Sequence, residues 1–233
     1  MESKKDTCIL LFVKYPQKGQ VKQRLALSLQ EDVVVELYQH FVQDILQTIE
    51  MINVPFFICV FPEEKVDDCR RWLRSSYSFL PQKGKNLGER MKNSFQHAFS
   101  EGFHRVILLG SDIPDLPNIY LTAAFYSLEE YTGVIGPCSD GGYYLIGFSE
   151  VAFQPSVFDQ ITWSTPKVFE ETMQQCTNAG ISMALLPEWS DIDTLDDLKE
   201  FILRNHDIDV HSSLTMKYVS QNPELSKLLI RKI

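Results

Sequence analysis

Segments typical of buried β-strands alternate with amphipathic helical segments along most of the chain, and this order constrains the fold more than any other feature. Cys8–Lys14 and Arg105–Leu109 are mainly apolar and rich in leucine and β-branched residues, as expected of strands buried on both faces. Val33–Ile49 and Gly88–Phe99 repeat apolar residues at the helical period. Strands that alternate with helices favour parallel pairing. We therefore predict an α/β fold on a mostly parallel sheet.

The alternation changes where two predicted strands follow each other closely. Gly133–Pro137 and Tyr143–Phe148 are separated only by residues 138–142, a link too short for a crossover helix. The two strands therefore either pair as a hairpin or diverge. Further on, Thr194 and Asp197 have the spacing of a capping box, which predicts the start of a helix.

The organisation predicted is one domain over residues 1–205, followed by a helical C-terminal extension, residues 206–233, packed on the same domain. The 233 residues suffice for one large α/β domain with a substantial core. His206–Ser213 is the one segment expected to form a loose joint. Asn222 and Pro223 have the N-cap and N1 pattern that opens a helix, which predicts a last amphipathic helix after them.

The charge balance argues against a nucleic-acid-binding protein. The chain has 22 Lys+Arg and 31 Asp+Glu, which gives a formal net charge of −9. That average field repels a polyanion such as DNA or RNA, whereas a small phosphate ligand needs only a local basic patch. We therefore expect small-molecule partners, and the oligomeric state stays open.

Other global features predict a cytoplasmic protein. No apolar run is long enough to cross a bilayer, and the first residues lack the pattern of a signal peptide. The five cysteines are odd in number and show no C-x-x-C spacing, so reduced thiols are expected.

The loop after the first strand concentrates positive charge around a glycine. Between Lys14 and Arg24 there are four cations in eleven residues, Lys22 among them, with Gly19 in the middle. In a doubly wound sheet this loop lies against the phosphates of a ligand, where lysine supplies a point charge and arginine a bidentate fork. The alternative is a solvated basic loop, and the P-loop pattern is absent.

Asp112 stands directly after the strand Arg105–Leu109, in the motif Gly110-Ser111-Asp112. An acidic residue at the carboxyl end of such a strand lies where open α/β sheets bind their ligands. Carboxylates gathered there suit a divalent cation that holds a phosphorylated substrate. The alternative for this segment is a helix cap, supplied by Asp112 or by Asp115.

Two further motifs have both a structural and a functional interpretation. Asp140-Gly141-Gly142 is a common hairpin turn, but adjacent glycines also let a backbone come close to a ligand. Asp191-Ile192-Asp193-Thr194 lies between a strand and a helix on the same side of the sheet. It marks a helix N-terminus, or it supplies a second carboxylate that completes a metal site with Asp112.

The order of these motifs, more than any one of them, resembles the glycosyltransferase-like family of domain of unknown function 2064, a branch of the GT-A nucleotide-diphospho-sugar transferase superfamily. The resemblance covers about residues 7 to 204. Its motifs are, in chain order, Val13-Lys14, Gly19–Leu25, Asn86-Leu87-Gly88-Glu89-Arg90-Met91, Gly110–Leu116, Ser139–Gly147, Ile161–Thr165 and Asp191–Thr194. The superfamily's Asp-x-Asp is present here as Asp112-x-x-Asp115.

The resemblance implies a GT-A, Rossmann-like fold in three layers, with a mixed, mostly parallel central sheet flanked by helices. It also assigns roles to site residues. Nucleotide and phosphates would meet Lys14, Lys22, Arg24, Gly88 and Arg90. A divalent metal, Mg²⁺ or Mn²⁺, would bind Asp112 and Asp193. The acceptor or sugar side would be lined by Asp140, Gly141, Gly142 and Tyr143, with Asp140 as general base and Asp112 as the second catalytic carboxylate.

Three functions are compatible with the sequence. The first is glycosyl transfer from a nucleotide-diphospho-sugar, with a metal, to an unknown small-molecule acceptor. The second is nucleotidyl transfer, in which a phosphorylated small molecule attacks a nucleoside triphosphate and releases pyrophosphate. The third is a non-catalytic nucleotide-binding module. The sequence does not identify the base, the sugar or the acceptor, because pocket shape decides them.

Overall fold

A computed structural model of the chain describes residues 6–207 and 213–229, and it contains one seven-stranded sheet. The strands, β1 to β7 in chain order, are Thr7–Lys14, Phe56–Phe61, Ser78–Pro81, Arg105–Gly110, Gly133–Pro137, Tyr143–Ser149 and Met183–Leu185. Their order across the sheet is β3-β2-β1-β4-β6-β5-β7. Only β6 is antiparallel to its neighbours, β4 and β5. The predicted mixed, mostly parallel sheet is therefore confirmed.

Helices pack on both faces of the sheet, as predicted. The helices, α1 to α8, are Glu31–Met51, Val66–Trp72, Leu87–Ser100, Asn118–Glu130, Val168–Asn178, Leu195–Arg204, Leu214–Gln221 and Ser226–Leu229. Buried residues of α1, α4, α6 and α7 form one apolar cluster, and those of α3 and α5 form the other. The sheet and the helices on its two faces form the three layers of a GT-A fold.

The two strands joined by the short link pair as a hairpin. β5 and β6 lie antiparallel, with Val134 opposite Gly147 and Ile135 opposite Ile146. Because β6 is inserted between β4 and β5, it reverses direction relative to the strands around it. The link itself is therefore held at the same edge of the sheet as the carboxyl end of β4.

Helix caps explain where two of the helices begin. Thr194 accepts a hydrogen bond from the Asp197 backbone amide, and the Asp197 carboxylate accepts one from the Thr194 amide. This is the predicted capping box, and it fixes the start of α6. Asn86 caps α3 in a simpler way, by accepting from the Glu89 amide.

The end of the chain contains the predicted last helix and one helix more. The Asn222 side chain accepts from the amides of Glu224 and Leu225, as an N-cap does, and α8 follows at Ser226–Leu229. α7 was not predicted, although Ser213 caps it by accepting from the Met216 amide, and a distant residue also holds its start. Asp44 of α1 is 5% exposed and accepts from the Leu214 and Thr215 amides. The predicted loose joint lies partly at residues 208–212, outside the described residues.

Replacement of Asp44 by alanine is expected to lower the free energy of unfolding by about 1–2 kcal/mol, because it leaves buried donors at the start of α7 without an acceptor. Asp44→Asn keeps one oxygen acceptor and is expected to cost less. Urea unfolding followed by circular dichroism measures both. An alanine variant as stable as the parent would show that α7 does not depend on this cap.

Candidate functional site

The loops that carry the predicted motifs meet at the carboxyl edge of β1, β2 and β4. Lys14 is the last residue of β1, and Gly110, the last of β4, is followed by Ser111 and Asp112. Parallel strands bring their carboxyl ends to one edge, where open α/β sheets bind ligands. The Ile192 amide donates to the Asp112 carbonyl at 3.0 Å, so the segment before α6 is held against the end of β4.

Lys22 lies between the two carboxylates that were predicted to hold a metal. Its Nζ is 2.8 Å from Asp112 Oδ2 and 2.7 Å from Asp193 Oδ1, and its side chain is only 3% exposed. Lys22 reaches this position from a backbone with a φ of 47°, in the left-handed region that few non-glycine residues adopt. The ammonium therefore joins three segments that are distant in sequence.

The charges in this cluster stabilise one another. Burial alone would lower the pKa of the Lys22 ammonium, but the attraction of Asp112 and Asp193 outweighs burial and raises that pKa above 10.5. In turn, the charge of Lys22 is the main cause that lowers the pKa of Asp193. Lys22 and Asp193 are therefore both charged at neutral pH.

A cavity of about 800 Å³ opens beside this cluster and is lined by the cationic loop. Lys14, Lys22 and Arg24 line it together with Asp112 and Asp193. The Arg24 side chain is 67% exposed, and its Nη1 lies 3.8 Å from Asp193 Oδ2. Five of the predicted site residues thus share one cavity, with two cations on its open side.

A second, smaller cavity of about 250 Å³ adjoins the first. Both cavities are lined by Lys14, Tyr38, Phe61 and Asp112. Residues that line only the smaller one include five with polar side chains, Gln82, Arg90, Ser111, Tyr143 and Tyr144, and the others are apolar or glycine. Arg90 and Tyr143 were predicted site residues, and they lie at this cavity, away from the cationic loop.

Tyr38 supports the site and was not predicted. It projects from α1, is buried, and its hydroxyl accepts from the Lys14 backbone amide at 3.0 Å. The same oxygen lies 2.9 Å from Ser111 Oγ. Burial raises the pKa of Tyr38, so the hydroxyl stays protonated. The tyrosine thereby ties the end of β1 to the residue before Asp112.

The glycine-rich turn lies next to this region but outside the lining of both cavities. Asp140 is exposed, and its Oδ1 accepts from the Gly142 amide at 2.8 Å. Gly141 has a φ of 87°, and a Cβ there would collide with the Pro166 carbonyl. The chain geometry alone therefore requires the glycine at 141. The roles predicted for Asp140, Gly141 and Gly142 toward an acceptor stay predictions.

Asp191 is an unpredicted neighbour of this turn. Potential ligand atoms of Asp191, Asp140 and Cys138 lie within 4.8 Å of one another. Burial, together with the negative charge of nearby carboxylates, outweighs the attraction of Lys22 and raises the pKa of Asp191 to about 6. Proximity of three such groups does not by itself define a metal site. Asp191 could have been found from sequence, because it belongs to the same quoted motif as Asp193.

Two further sequence candidates have structural partners. Gly88 is buried at the start of α3, where a Cβ would collide with the Phe158 carbonyl and the Trp163 ring, and it lines neither cavity. Asp115 caps no helix, because its carboxylate contacts Arg204, Asn205 and the Trp189 indole. The Asp112-x-x-Asp115 motif therefore contributes only its first carboxylate to the cation cluster.

The pair Asp112 and Asp193 suits a cation, because the Lys22 ammonium contacts both at hydrogen-bond distance. Oxygen ligands of this kind fit Mg²⁺ or Mn²⁺. The Lys22 ammonium already lies between the two carboxylates, and a metal ion cannot occupy the same position at the same time. A metal shared by the pair therefore requires Lys22 to leave it.

The mixed sheet and the polar site at its carboxyl edge define the class: the protein has the GT-A fold of the nucleotide-diphospho-sugar transferase superfamily. Within that class the chain belongs to the family described as "Uncharacterized protein conserved in bacteria (DUF2064)", whose profile matches residues 45–165. The family predicted from the order of motifs is thus confirmed. No curated protein matches the sequence.

Solved structures support this placement. One from Desulfovibrio desulfuricans G20, which carries the provisional name nucleotide-diphospho-sugar transferase, is 40% identical, covers 95% of this chain and 96% of its own, and has a TM-score of 0.90. A CMP:2-keto-3-deoxy-manno-octonic acid synthetase complexed with CTP is 11% identical (87% and 100% covered, TM-score 0.55). A cytidylyltransferase from Leptospira borgpetersenii serovar Hardjo-bovis is 10% identical (98% of each covered, TM-score 0.53). The last two share the fold only.

Within the described residues no helix is long and apolar enough to cross a membrane. All five cysteines are buried, and none of them forms a disulfide within the described residues.

Proposed function

We propose that this protein is a glycosyltransferase that uses a nucleotide-diphospho-sugar donor. The observation that carries the proposal is the cavity of about 800 Å³ in which Lys14, Lys22 and Arg24 stand beside two carboxylates at the carboxyl edge of the sheet. A departing diphosphate develops negative charge, and fixed cations at that position stabilise it. The 40% identical D. desulfuricans protein, with its provisional name, supports the same class of donor.

The chain's own residues take the following roles in this proposal. Lys14 and Arg24 bind the diphosphate from the open side of the cavity, and Lys22 approaches it from the buried side. An acceptor hydroxyl attacks the anomeric carbon while the bond to the diphosphate oxygen breaks. Asp140, which is exposed near the site, takes the hydroxyl proton as general base.

Asp112 and Asp193 are the proposed ligands of Mg²⁺ or Mn²⁺. When bound, such an ion supplies positive charge to the leaving diphosphate. Lys22 then no longer bridges the two carboxylates, and its ammonium is free to contact phosphate oxygen atoms. The exchange keeps a positive charge beside the two half-buried carboxylates before and after ligand binding.

A second candidate function is nucleotidyl transfer. A specific observation favours it: three cations lie at the end of β1 and in the loop that follows, in a fold shared with cytidylyltransferases. In that reaction a phosphate oxygen of the acceptor attacks the α-phosphorus of a nucleoside triphosphate. The bond from the α-phosphorus to the bridging oxygen breaks, and pyrophosphate leaves.

A thermal-shift screen against nucleoside di- and triphosphates and nucleotide sugars, with and without Mg²⁺ or Mn²⁺, tests the proposal. A ligand at 100 times its Kd stabilises the folded state by about 2.7 kcal/mol, or a rise in Tm of about 5–10 °C for a chain of this size. We expect a metal-dependent shift that is lost in Asp112→Asn. Asp159→Asn, an exposed aspartate outside both cavities, is the matched control.

Product analysis then separates the candidates. Release of nucleoside diphosphate from a nucleotide sugar supports glycosyl transfer, and release of pyrophosphate from a triphosphate supports nucleotidyl transfer. Tight nucleotide binding with no turnover and no metal dependence would favour the non-catalytic module. No shift with any ligand would contradict nucleotide binding altogether.

A further inference from the structure

The smaller cavity is lined by a buried acceptor, the Gln82 side chain, for which phosphate chemistry gives no role. It adjoins the cationic cavity and shares Lys14, Tyr38, Phe61 and Asp112 with it. A ligand whose phosphates occupy the larger cavity would therefore place its next group in the smaller one. In a nucleotide, that group is the nucleoside. This step rests on the proposed function.

Gln82 is held in one orientation at this cavity. It is 5% exposed, its backbone amide donates to the Val60 carbonyl at 2.9 Å, and its Nε2 donates to the Cys59 carbonyl at 2.7 Å. A weaker contact of 3.5 Å joins Nε2 to the Val13 carbonyl. No residue in the ranges 6–207 and 213–229 donates to Oε1. The side chain therefore offers the cavity an acceptor whose position is fixed by the sheet.

Arg90 supplies hydrogen-bond donors to the same cavity. Its guanidinium lies 4.3 Å from the centroid of the Phe61 ring, and its buried Nε has no acceptor among the described residues. No carboxylate of those residues forms an ion pair with it. Burial lowers the pKa of Arg90. A buried donor without a partner is costly, so a ligand acceptor at this point would be favourable.

We propose that the smaller cavity recognises a nucleobase edge on which a carbonyl stands next to a ring N–H, the imide or lactam edge of uracil, thymine and guanine. The carbonyl accepts from Arg90, and the N–H donates to Gln82 Oε1. Adenine and cytosine present the reverse order, an amino donor next to a ring nitrogen acceptor. With either base, the amino group would face the Arg90 donors, and the ring nitrogen acceptor would face Gln82 Oε1, so neither hydrogen bond could form.

Calorimetric titration of the full chain with UDP, dTDP, GDP, ADP and CDP, all in the same metal-containing buffer, tests the assignment. Pyrophosphate is the probe that has no base. We expect the first three nucleotides, or one subset of them, to bind about 10- to 100-fold more tightly than ADP and CDP, since each mismatch leaves buried polar groups unpaired. Comparison of UDP and dTDP with GDP shows whether a pyrimidine or a purine fits.

Arg90→Met keeps the length of the side chain but removes the donors. We expect it to reduce the preference for the imide or lactam base to less than about 3-fold, with pyrophosphate affinity unchanged. Arg70→Met is the matched control, because Arg70 also packs over a phenylalanine, Phe79, and lies outside both cavities. Gln82→Leu removes the acceptor and is expected to reduce the preference in the same way, and Gln82→Met, which also lacks the amide acceptor, serves as the second variant if the leucine variant does not fold.

The outcomes separate this inference from the proposed function. If pyrophosphate and all five nucleotides bind equally well, the base assignment is overturned, but the proposed diphosphate site is not. Preference for ADP or CDP would overturn it as well. If neither nucleotides nor pyrophosphate bind, the proposed function fails and the assignment fails with it.

Discussion

Replacement of Lys22 by methionine is expected to lower the free energy of unfolding by about 2–4 kcal/mol at pH 7, the largest effect of any substitution proposed for this protein. The ammonium is 3% exposed and contacts both Asp112 and Asp193. Its removal leaves Asp112 without a counter-charge among the described residues and Asp193 with only the Arg24 guanidinium at 3.8 Å, which is the costly way to break a buried ion pair. Because the carboxylates are 40% and 35% exposed, water reduces the cost below that of a fully buried triad.

The effect of Lys22→Met should depend on pH in a defined direction. The lowered pKa of Asp193 gives the parent stability that is present above the ordinary value of 3.8 and is lost as pH falls. The raised pKa of Lys22 gives stability that is present below the ordinary value of 10.5 and is lost as pH rises past the raised value. The difference between variant and parent is therefore widest from about pH 5 to 10, and it shrinks in acid. Urea unfolding in EDTA across this range measures it.

The same variant tests whether the pair can hold a metal. With the ammonium gone, Mg²⁺ or Mn²⁺ should stabilise Lys22→Met more than the parent, since binding to the folded state raises its stability by mass action. Lys18→Met is the control from the same loop, because Lys18 and its partner Asp32 are 56% and 71% exposed, and little change is expected. Equal metal effects in parent and variant would contradict the metal ligands proposed here.

Much of the fold could be predicted because it is encoded locally. Apolar runs and helical periodicity placed the strands and helices, and the spacing of Thr194 and Asp197 located the start of α6. These signals arise within one or two turns of chain. The pairing of β5 with β6 does not follow from the sequence alone, because a link of five residues permits a hairpin but does not select the neighbours in the sheet.

The candidate site could be predicted only in part. The motifs identified Lys22, Asp112 and Asp193, but the contact between them joins segments up to 171 residues apart, and no local pattern shows that the lysine takes the place expected for a metal. Tyr38 lies on the buried face of α1, and the sequence pattern of that face indicates core packing rather than a site residue. Gln82 follows β3 directly, and a polar residue at the carboxyl end of a parallel strand is the signal that could have found it.

Replacement of Asp191 by asparagine is expected to stabilise the protein by about 2 kcal/mol at pH 7.5 and to change little at pH 4. Burial, with the negative charge of nearby carboxylates, raises the pKa of Asp191 to about 6. Each unit of pKa shift corresponds to about 1.4 kcal/mol, and partial exposure reduces the total. The expected rise in Tm at pH 7.5 is about 4–8 °C.

The sign follows from proton binding. Between the ordinary pKa of 3.8 and the raised value of about 6, the folded state holds a proton on Asp191 that the unfolded state has released. Stability of the parent therefore falls as pH rises through this range, and asparagine, which does not titrate, removes the loss. Glu188→Gln is the matched control, because it removes one negative charge from an exposed position in the same segment.

Unfolding curves of Asp191→Asn, Glu188→Gln and the parent, recorded in EDTA at half-unit steps from pH 4 to 8, distinguish the possible causes. A stability difference that grows between pH 4 and 6.5 and then stays constant shows that Asp191 is under electrostatic strain at the edge of the site. A constant difference at all pH values would mean that the amide acts through new hydrogen bonds instead. No difference at pH 7.5 would contradict the raised pKa itself.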